Sequence, residues 1–461
     1  MLELFTPAEM QAVDRAAQAQ GMPEEALIGA AGRAVARAVM RHYAPCRTLV
    51  LCGPGNNGRD GLVAARVLAR AGWGVRIAGP GQLPKLREAP SVAFAPQEAA
   101  RAGLVIDALF GAGLTRALDP AAAQVLRAAP RLVAVDVPSG LDGQTGQIRG
   151  YAPQAELTVS FVAAKPGHWL LPGRTLCGRL EVADIGMPAA ALAMVAPALW
   201  RNAPGLWRVP MPQPAGHKYS RGHVTVLGGP EMIGAAQLAA GAARRAGTGL
   251  VTLAATGKAD LYRTAASAGL IVSGEALASL LADERRTVWV CGPGLGREAA
   301  AAALPVLLGA GREVVVDADA LTLCAGAPER LRGAAVLTPH DGEFTRVFGA
   351  IGPDKVAAAR RAAALTGAVV LLKGADTVIA APDGRAAVNA DAPAWLATAG
   401  AGDVLAGIIA GLLGQHMPRW EAACAAAWLH GRAAALAGAH MIAEDLAGML
   451  PRTFAEAAEL V

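Results

Sequence analysis

The sequence predicts an α/β protein of two domains, each built on a mostly parallel, doubly wound sheet, and three observations carry that expectation. The chain has 461 residues, more than one hydrophobic core usually organises and enough for two or three domains. Short β-branched runs alternate with Ala/Leu/Arg-rich helical runs, the pattern of parallel strands joined by crossover helices. Prolines 188, 197, 204, 210, 212 and 214 interrupt that alternation. The expected division therefore falls near this cluster, giving domains 1–205 and 206–461.

An amphipathic helix over Pro7–Gln20 opens the first half, followed by a second from Glu24 to about Arg41. Strands are then expected at Thr48–Cys52, Val75–Ala78, Leu104–Ala108, Leu132–Val137 and Leu157–Val162. In the second half they fall at His223–Leu227, Leu250–Leu253, Thr287–Cys291, Glu313–Asp317, Ala335–Thr338, Val369–Lys373 and Thr377–Ala381. The last two, split by Gly374, Ala375 and Asp376, read as a hairpin. The tetrapeptide Cys-Gly-Pro-Gly follows a strand at both 52–55 and 291–294. The residues after it diverge at once, so it reads as one backbone solution reached twice.

Composition narrows the function classes. Hydrophobic residues at 54% against charged residues at 17% exclude intrinsic disorder. Aromatics at 4% provide no stacking platform for single-stranded nucleic acid, and the net charge of +5 is scattered, so no nucleic-acid partner is expected. Met1–Met10 lacks a basic-then-apolar leader, and the longest uncharged run, Ile185–Trp200, is broken by Pro188 and Pro197. A cytoplasmic protein with no membrane partner is expected. Six cysteines without a C-x-x-C pair fit reduced thiols, and with the eight histidines they form no zinc or haem motif. Only six of the 42 cations are lysine (85, 165, 218, 258, 355 and 373). Lys373, in a glycine-flanked apolar segment, is therefore a functional candidate, against the plain alternative of a lysine at a strand end.

In the first half, Gly53-Pro54-Gly55-Asn56-Asn57-Gly58 satisfies G-x-G-x-x-G between a strand and a helix, the context in which the pattern can hold a pyrophosphate. The second strand ends Ile77-Ala78-Gly79-Pro80 with no carboxylate to hold a ribose, which argues against a hydride-transferring dehydrogenase. Asn56, Asn57 and Asp60 crowd the turn; Asp107 ends the third strand ahead of Phe110-Gly111-Ala112-Gly113; Asp136 to Asp142 ends the fourth. Each polar residue alone could be a turn former or a helix cap. Ligands of open parallel sheets bind beyond the carboxyl ends of strands, so these clusters should meet in one crevice. There oxygen donors suit a hard cation and a second carboxylate suits proton transfer.

In the second half, Ala397-Thr398-Ala399-Gly400-Ala401-Gly402-Asp403 runs into the helical stretch Val404–Leu413. Small residues there turn backbone amides and the positive end of the helix dipole toward one point, an anion hole for a phosphoryl group. Asp403 is then placed to accept a proton from an attacking hydroxyl, with N-capping as the alternative. Gly257-Lys258 is followed by Ala259, so there is no Walker A motif. Gly228-Gly229, Gly292 to Gly296, Asp317 with Asp319, His340 to Glu343 and Lys373 to Thr377 complete an ordered series of polar strand ends.

The runs GPGNNGRDGLVAARVL, DALFGAGL, DVPSGLDGQTG and AAKPGHWLLPGR, with LFTPAEMQAVDRAA before them, resemble the NAD(P)H-hydrate epimerase domain, a Rossmann-like three-layer sandwich. The resemblance implies that Asn57, Asp107 and Ser139 bind potassium and that Asp136 transfers the proton. It also implies substrate contacts from Asn56, Asn57, Gly58, Arg59, Asp60, Gly111, Ala112, Gly113, Leu114, Thr115, Arg116, Ala117 and Asp136. Arg59 stands where that family usually has Gly, and Ala112 where it usually has Thr.

The runs HKYSRGHVTVLGG, CGPGLG, VVVDADAL, LTPHDGEF, LLKGADTVI and ATAGAGDVLAGIIAG resemble the NAD(P)H-hydrate dehydratase branch of the ribokinase-like superfamily, over about residues 215–450. By that likeness Lys373, Gly374, Ala375, Asp376, Thr377 and Gly402 bind the adenine nucleotide. Ala235, Gly296, His340 and Asp403 face the hydrate, and Pro230 replaces a usual Ser. Together the two resemblances imply a bifunctional enzyme that interconverts the R and S forms of NADHX and NADPHX and dehydrates the S form with ADP, yielding AMP and phosphate. They imply K+ in the first domain and Mg2+ with ADP in the second; a homo-oligomer is expected. The competing expectation is a small-molecule kinase of the same superfamily fused to a nucleotide-binding domain.

Overall fold

The protein is described by a computed structural model covering residues 2–460. It divides into two compact units whose boundary falls between Leu199 and Trp200, inside the proline cluster and ahead of residue 205. A strand at Leu199–Arg201 occupies part of the segment expected to lack regular structure.

The first unit is built on strands β1 (Arg47–Cys52), β2 (Gly74–Ala78), β3 (Leu104–Ala108), β4 (Leu132–Val135), β5 (Leu157–Phe161) and β6 (Arg179–Ala183). They form one all-parallel sheet in the order β2-β1-β3-β4-β5-β6. Its helices are α1 (Pro7–Ala19), α2 (Glu24–His42), α3 (Asn56–Arg70), α4 (Pro96–Ala100), α5 (Pro120–Arg127), α6 (Gly173–Leu176) and α7 (Ala189–Leu192). Alternate strand residues serve opposite faces. Val50, Ile106 and Val133 pack against Val35 and Val39 of α2 and Leu68 of α3, while Leu49, Leu51 and Val105 pack against Ala99 of α4 and Val125 and Leu126 of α5. Three layers result, with the chain direction switching between β1 and β3.

Helix α1 starts at a capping box: Glu9 N–H donates to Thr6 Oγ1 at 3.2 Å and Thr6 N–H donates to Glu9 Oε2 at 2.7 Å. Its apolar face, Met10, Val13 and Ala17, joins Phe5, Ala163 and Ala191 in a small cluster of its own.

In the second unit the strands are β7 (Leu199–Arg201), β8 (His223–Leu227), β9 (Leu250–Ala254), β10 (Ile271–Ser273), β11 (Val288–Cys291), β12 (Glu313–Val316), β13 (Val336–Leu337), β14 (Val369–Leu372), β15 (Thr377–Ala380) and β16 (Ala386–Asn389). Their order is β10-β9-β8-β11-β12-β13-β14-β15-β16-β7. The pairings are parallel as far as β14. The β14–β15 pair is antiparallel, the expected hairpin, and β15–β16 extends it. The switch point lies between β8 and β11.

Helices α8 (Ile233–Arg245), α9 (Ala259–Arg263), α10 (Leu277–Ala282), α11 (Arg297–Gly309), α12 (Ala318–Thr322), α13 (Asp341–Phe348), α14 (Lys355–Thr366), α15 (Ala401–Gly414), α16 (Arg419–Ala437) and α17 (Ala443–Glu459) complete it. Helix α15 is apolar on all sides and enters the core through Val404, Leu405, Ile408, Ile409 and Leu412. A side chain at Gly407 would begin 2.1 Å from the Ala239 carbonyl oxygen of α8. Glycine at 407 lets the two backbones touch.

Several strands end earlier than the apolar runs predict. β4 stops at Val135 because Asp136 takes a left-handed φ of 68°, and β12 stops at Val316 because Asp317 turns to cap α12, accepting from Ala318 N–H. Strands β6, β7, β10 and β16 have no counterpart among the expected elements.

Candidate active sites

In the first unit, the turn after β1, the loop after β3 and the end of β4 meet at the β1/β3 switch. The turn is dense: a Cβ on Gly53 would lie 1.8 Å from the Leu109 carbonyl oxygen, and one on Gly58 would lie 1.9 Å from that of Gly53. Gly58 thus closes the first turn of α3 onto Gly53.

In front of this turn lies a cavity of about 580 Å³, within the range of small-molecule and cofactor sites. Asn56, Asn57 and Asp60 form one wall; Gly111, Ala112, Gly113, Leu114, Thr115 and Arg116 form another; Asp136 lies among them. Met10, Gln11, Asp14 and Gln18 of α1 contribute a further side. Gly58, Arg59 and Ala117 are not in its lining. Arg59 turns toward α2, donating to Glu24 at 3.1 Å and to Asn56 Oδ1 at 3.0 Å and pairing with Glu25. Asn56 is held by the same network, its Nδ2 donating to Glu24 Oε1 at 2.9 Å.

Asp136 is the most heavily bonded group of the cavity. Its Oδ2 accepts from Ala112 N–H at 2.8 Å, and its Oδ1 accepts from Ser160 Oγ at 3.1 Å and lies 2.9 Å from Lys165 Nζ. Burial alone would raise its pKa, but the Lys165 ammonium and the Ala112 amide outweigh it and hold the carboxyl down to about 2. Asp60, 7% exposed, is pushed up to about 8 by burial, with Asp136 and Asp14 adding to the shift. Asp14 is also raised, chiefly by burial. At neutral pH one cavity therefore offers an ionised carboxylate and a protonated carboxylic acid, the two partners that acid–base chemistry needs. Lys165 and Asp14 escaped the sequence expectations. The scarcity of lysine that marked Lys373 applied equally to Lys165.

Asp107 and Ser139 are fully buried behind the Phe110 loop. Ser139 Oγ donates to Asp107 Oδ1 at 2.7 Å, Ser139 N–H donates to Oδ2 at 2.8 Å, and Phe110 N–H donates to Ser139 Oγ at 2.9 Å. Burial lifts Asp107 to about 6 against these bonds. Asn57 Nδ2 is buried without a hydrogen-bond partner.

In the second unit the polar strand ends form a linked chain. Lys373 Nζ lies 2.9 Å from Asp317 Oδ1 and 3.9 Å from Glu343 Oε2. Burial opposes its charge, yet these two carboxylates raise its pKa. A Cβ on Gly402 would stand 3.4 Å from Lys373 Nζ, so the start of α15 abuts the lysine. Asp403, in that first turn, is pushed up to about 6 by burial and by Asp317. Gly296 N–H donates to Asp319 Oδ2 at 2.9 Å, and Ala235 faces the same loop, 3.0 Å from where a Cβ on Gly294 would lie.

His340 caps α13, its Nδ1 accepting from Gly342 N–H at 3.0 Å while its own N–H donates to Glu343 Oε2 at 2.9 Å. Asp376 pairs with Lys355 at 2.8 Å, and Thr377 Oγ1 closes the hairpin turn onto Gly374 O at 2.8 Å, flanking Ala375. His430 of α16 was also missed. It is buried with Nε2 unpartnered and is held down to about 4, first by burial and further by Lys373.

A polar cavity at the switch point of the first sheet and a linked polar cluster at strand ends of the second, each with a pKa-shifted carboxylate, are the marks of a two-domain α/β enzyme. Comparison with known proteins agrees in both halves. Residues 24–167 match the family model described as YjeF-related protein N-terminus, and residues 224–457 match that described as NAD(P)H-hydrate dehydratase. Similar over nearly the whole length are the bifunctional NAD(P)H-hydrate repair enzymes Nnr of Moorella thermoacetica, 39% identical over 97% of this chain and 96% of the other, and of Pyrobaculum aerophilum, 37% identical over 98% of each. A solved ADP/ATP-dependent NAD(P)H-hydrate dehydratase from Bacillus subtilis, co-crystallised with ATP/Mg2+, is 29% identical, with 54% of this chain and 95% of that one covered and a TM-score of 0.48. The chain belongs to the bifunctional NAD(P)H-hydrate repair enzymes. No helix among the described residues is long and apolar enough to cross a membrane.

Proposed function

We propose that the first unit interconverts the R and S forms of NADHX and NADPHX at C6, and that the second dehydrates the S form at the expense of ADP. The observation that carries the first activity is the divergence of two carboxyl groups in one cavity, Asp136 ionised and Asp60 protonated. Asp60 delivers its proton as the C6 hydroxyl departs as water, the ring nitrogen supplying the electron pair to C6. Water then returns from the other face and sheds its proton to ionised Asp136, and exchange with solvent returns Asp136 and Asp60 to their starting states. Asp136 stabilises the cationic ring between the two steps.

The residues named for potassium fit a monovalent cation in their oxygen donors: a fully buried carboxylate, on which no cationic group acts among the described residues, lies against a serine hydroxyl, and Asn57 would add its Oδ1. Asp107, Ser139 and Asn57 would hold K+, which would neutralise Asp107 and stiffen the Phe110 loop.

For the second activity the supporting arrangement is Asp403 in the first turn of α15, beside Lys373. Asp403 accepts the proton of the C6 hydroxyl, whose oxygen attacks the terminal phosphorus of ADP and displaces AMP. The phosphate ester then leaves with a C5 proton, so that NAD(P)H, AMP and phosphate balance the hydrate and ADP. Amides at the start of α15 and the Lys373 ammonium face the phosphoryl charge. Among the described residues no cluster of three or more His, Cys, Asp or Glu is arranged to hold a metal, so Mg2+ would enter on the phosphates of ADP and neutralise their charge. Incubation of hydrated NADH with ADP should restore reduced-nicotinamide absorbance for both forms; no recovery with ADP or ATP removes the second activity, and persistence of the R form removes the first.

A further inference from the structure

We propose that Lys165 is the positioning residue of the first site: its ion pair with Asp136, closed into a ring by His168, fixes that carboxylate in its ionised state and in its place in the cavity wall. The proposal rests on the epimerase reading above.

Lys165 is 4% exposed. Its ammonium lies 2.9 Å from Asp136 Oδ1 and donates to Ser160 Oγ at 2.8 Å and the Phe161 carbonyl at 3.3 Å. An ammonium has three N–H donors, and these three partners occupy them. No donor is left to protonate substrate, so Lys165 acts through Asp136.

The backbone side of the ring is equally defined. Lys165 N–H donates to His168 Nδ1 at 2.9 Å, so the imidazole proton sits on Nε2 and is donated to the Asp136 carbonyl at 2.8 Å. The histidine is thereby neutral, in accord with the burial that holds it down to about 4. The ring clasps Asp136 where its backbone takes the left-handed φ of 68°, a conformation that costs a non-glycine residue energy unless its surroundings enforce it.

The other charged groups facing this position are the carboxylates Asp60 of α3, on which Arg59 acts, and Asp14 of α1, on which Glu24 of α2 and Arg15 act. Without the ammonium, burial and these neighbours would favour a protonated Asp136. Lys165 therefore decides which carboxyl group of the cavity is ionised.

The test uses the full chain, R-NADHX and no ADP, following conversion to the S form by chromatography across pH. In Lys165→Met, kcat at pH 7 should fall about a hundredfold, and the acid limb of the kcat profile should move up by at least about one pH unit. Lys165→Arg should keep the limb where the unsubstituted chain has it. Far-UV circular dichroism and a thermal melt of the variant beside the unsubstituted chain report whether the first unit is folded, and dehydration of the S form with ADP reports the second. Lys165→Gln, which keeps an N–H donor but no charge, gives the same readout if methionine is not accommodated. An unmoved acid limb in the neutral variants overturns the proposal even if kcat drops, because a merely structural lysine would lower the rate without moving the limb. Failure of the unsubstituted chain to epimerise removes the epimerase reading itself and is seen before any variant is made.

Discussion

Asp60 and Asp403 are carboxyl groups kept off their ordinary titration by burial, and each gives a measurable consequence. Asp60 has its pKa raised to about 8 in the folded chain, whereas in the unfolded chain it ionises near the usual value of about 4. Its penalty is absent below pH 4, grows as pH rises from 4 to 8, and is constant above. Asp60→Asn should therefore raise the unfolding temperature by roughly 3 °C or more at pH 8, with little change near pH 4, while abolishing epimerisation; calorimetry at the two pH values checks it. Asp403, raised to about 6, is competent as a base only above that pH. Dehydration should show an acid limb near pH 6, and Asp403→Ala should lower kcat by at least about a hundredfold. Both aspartates were legible from their places beside a glycine turn or at a helix start. Lys165 was not, because its significance lies in a partner on a different strand end, which only the parallel register of β4 and β5 brings near.

At the scale of elements, long apolar strands and strongly amphipathic helices were readable because their burial patterns repeat over many residues. The missing strands are those whose pairing comes from tertiary context. β16 reads Ala-Ala-Val-Asn, short of β-branched residues, and exists by pairing with β15; β7 and β10 span three residues each. The α8–α15 contact adds a prediction. Gly407→Leu would drive a side chain into the α8 backbone and displace α15, at a cost of about 1–3 kcal/mol or more. Dehydratase activity should fall with it, since Asp403 rides on that helix, and epimerisation should persist; a thermal melt and the two assays decide it. Thr6→Ala, which breaks the capping box, should destabilise α1 by about 1 kcal/mol and raise the epimerase KM through the loosened wall of Met10, Gln11, Asp14 and Gln18.

For the whole molecule, two separate cores and two separate constellations imply separable activities. Asp136→Ala should stop recovery of NADH once the S form is exhausted, leaving the R form untouched. Asp403→Ala should still bring the two forms to equilibrium without restoring NADH; separation of the hydrates by chromatography distinguishes these outcomes. The clasp around Asp136 has a consequence for descent as well as for chemistry. Loss of Asp136 alone would strand a buried ammonium, a change of about 3–5 kcal/mol, whereas loss of Lys165 alone would leave Asp136 protonated and the cavity without its ionised carboxylate. A lineage that abandons this activity should therefore not keep Lys165 once Asp136 is gone, and a buried lysine left at 165 without its aspartate is the combination that descent should avoid.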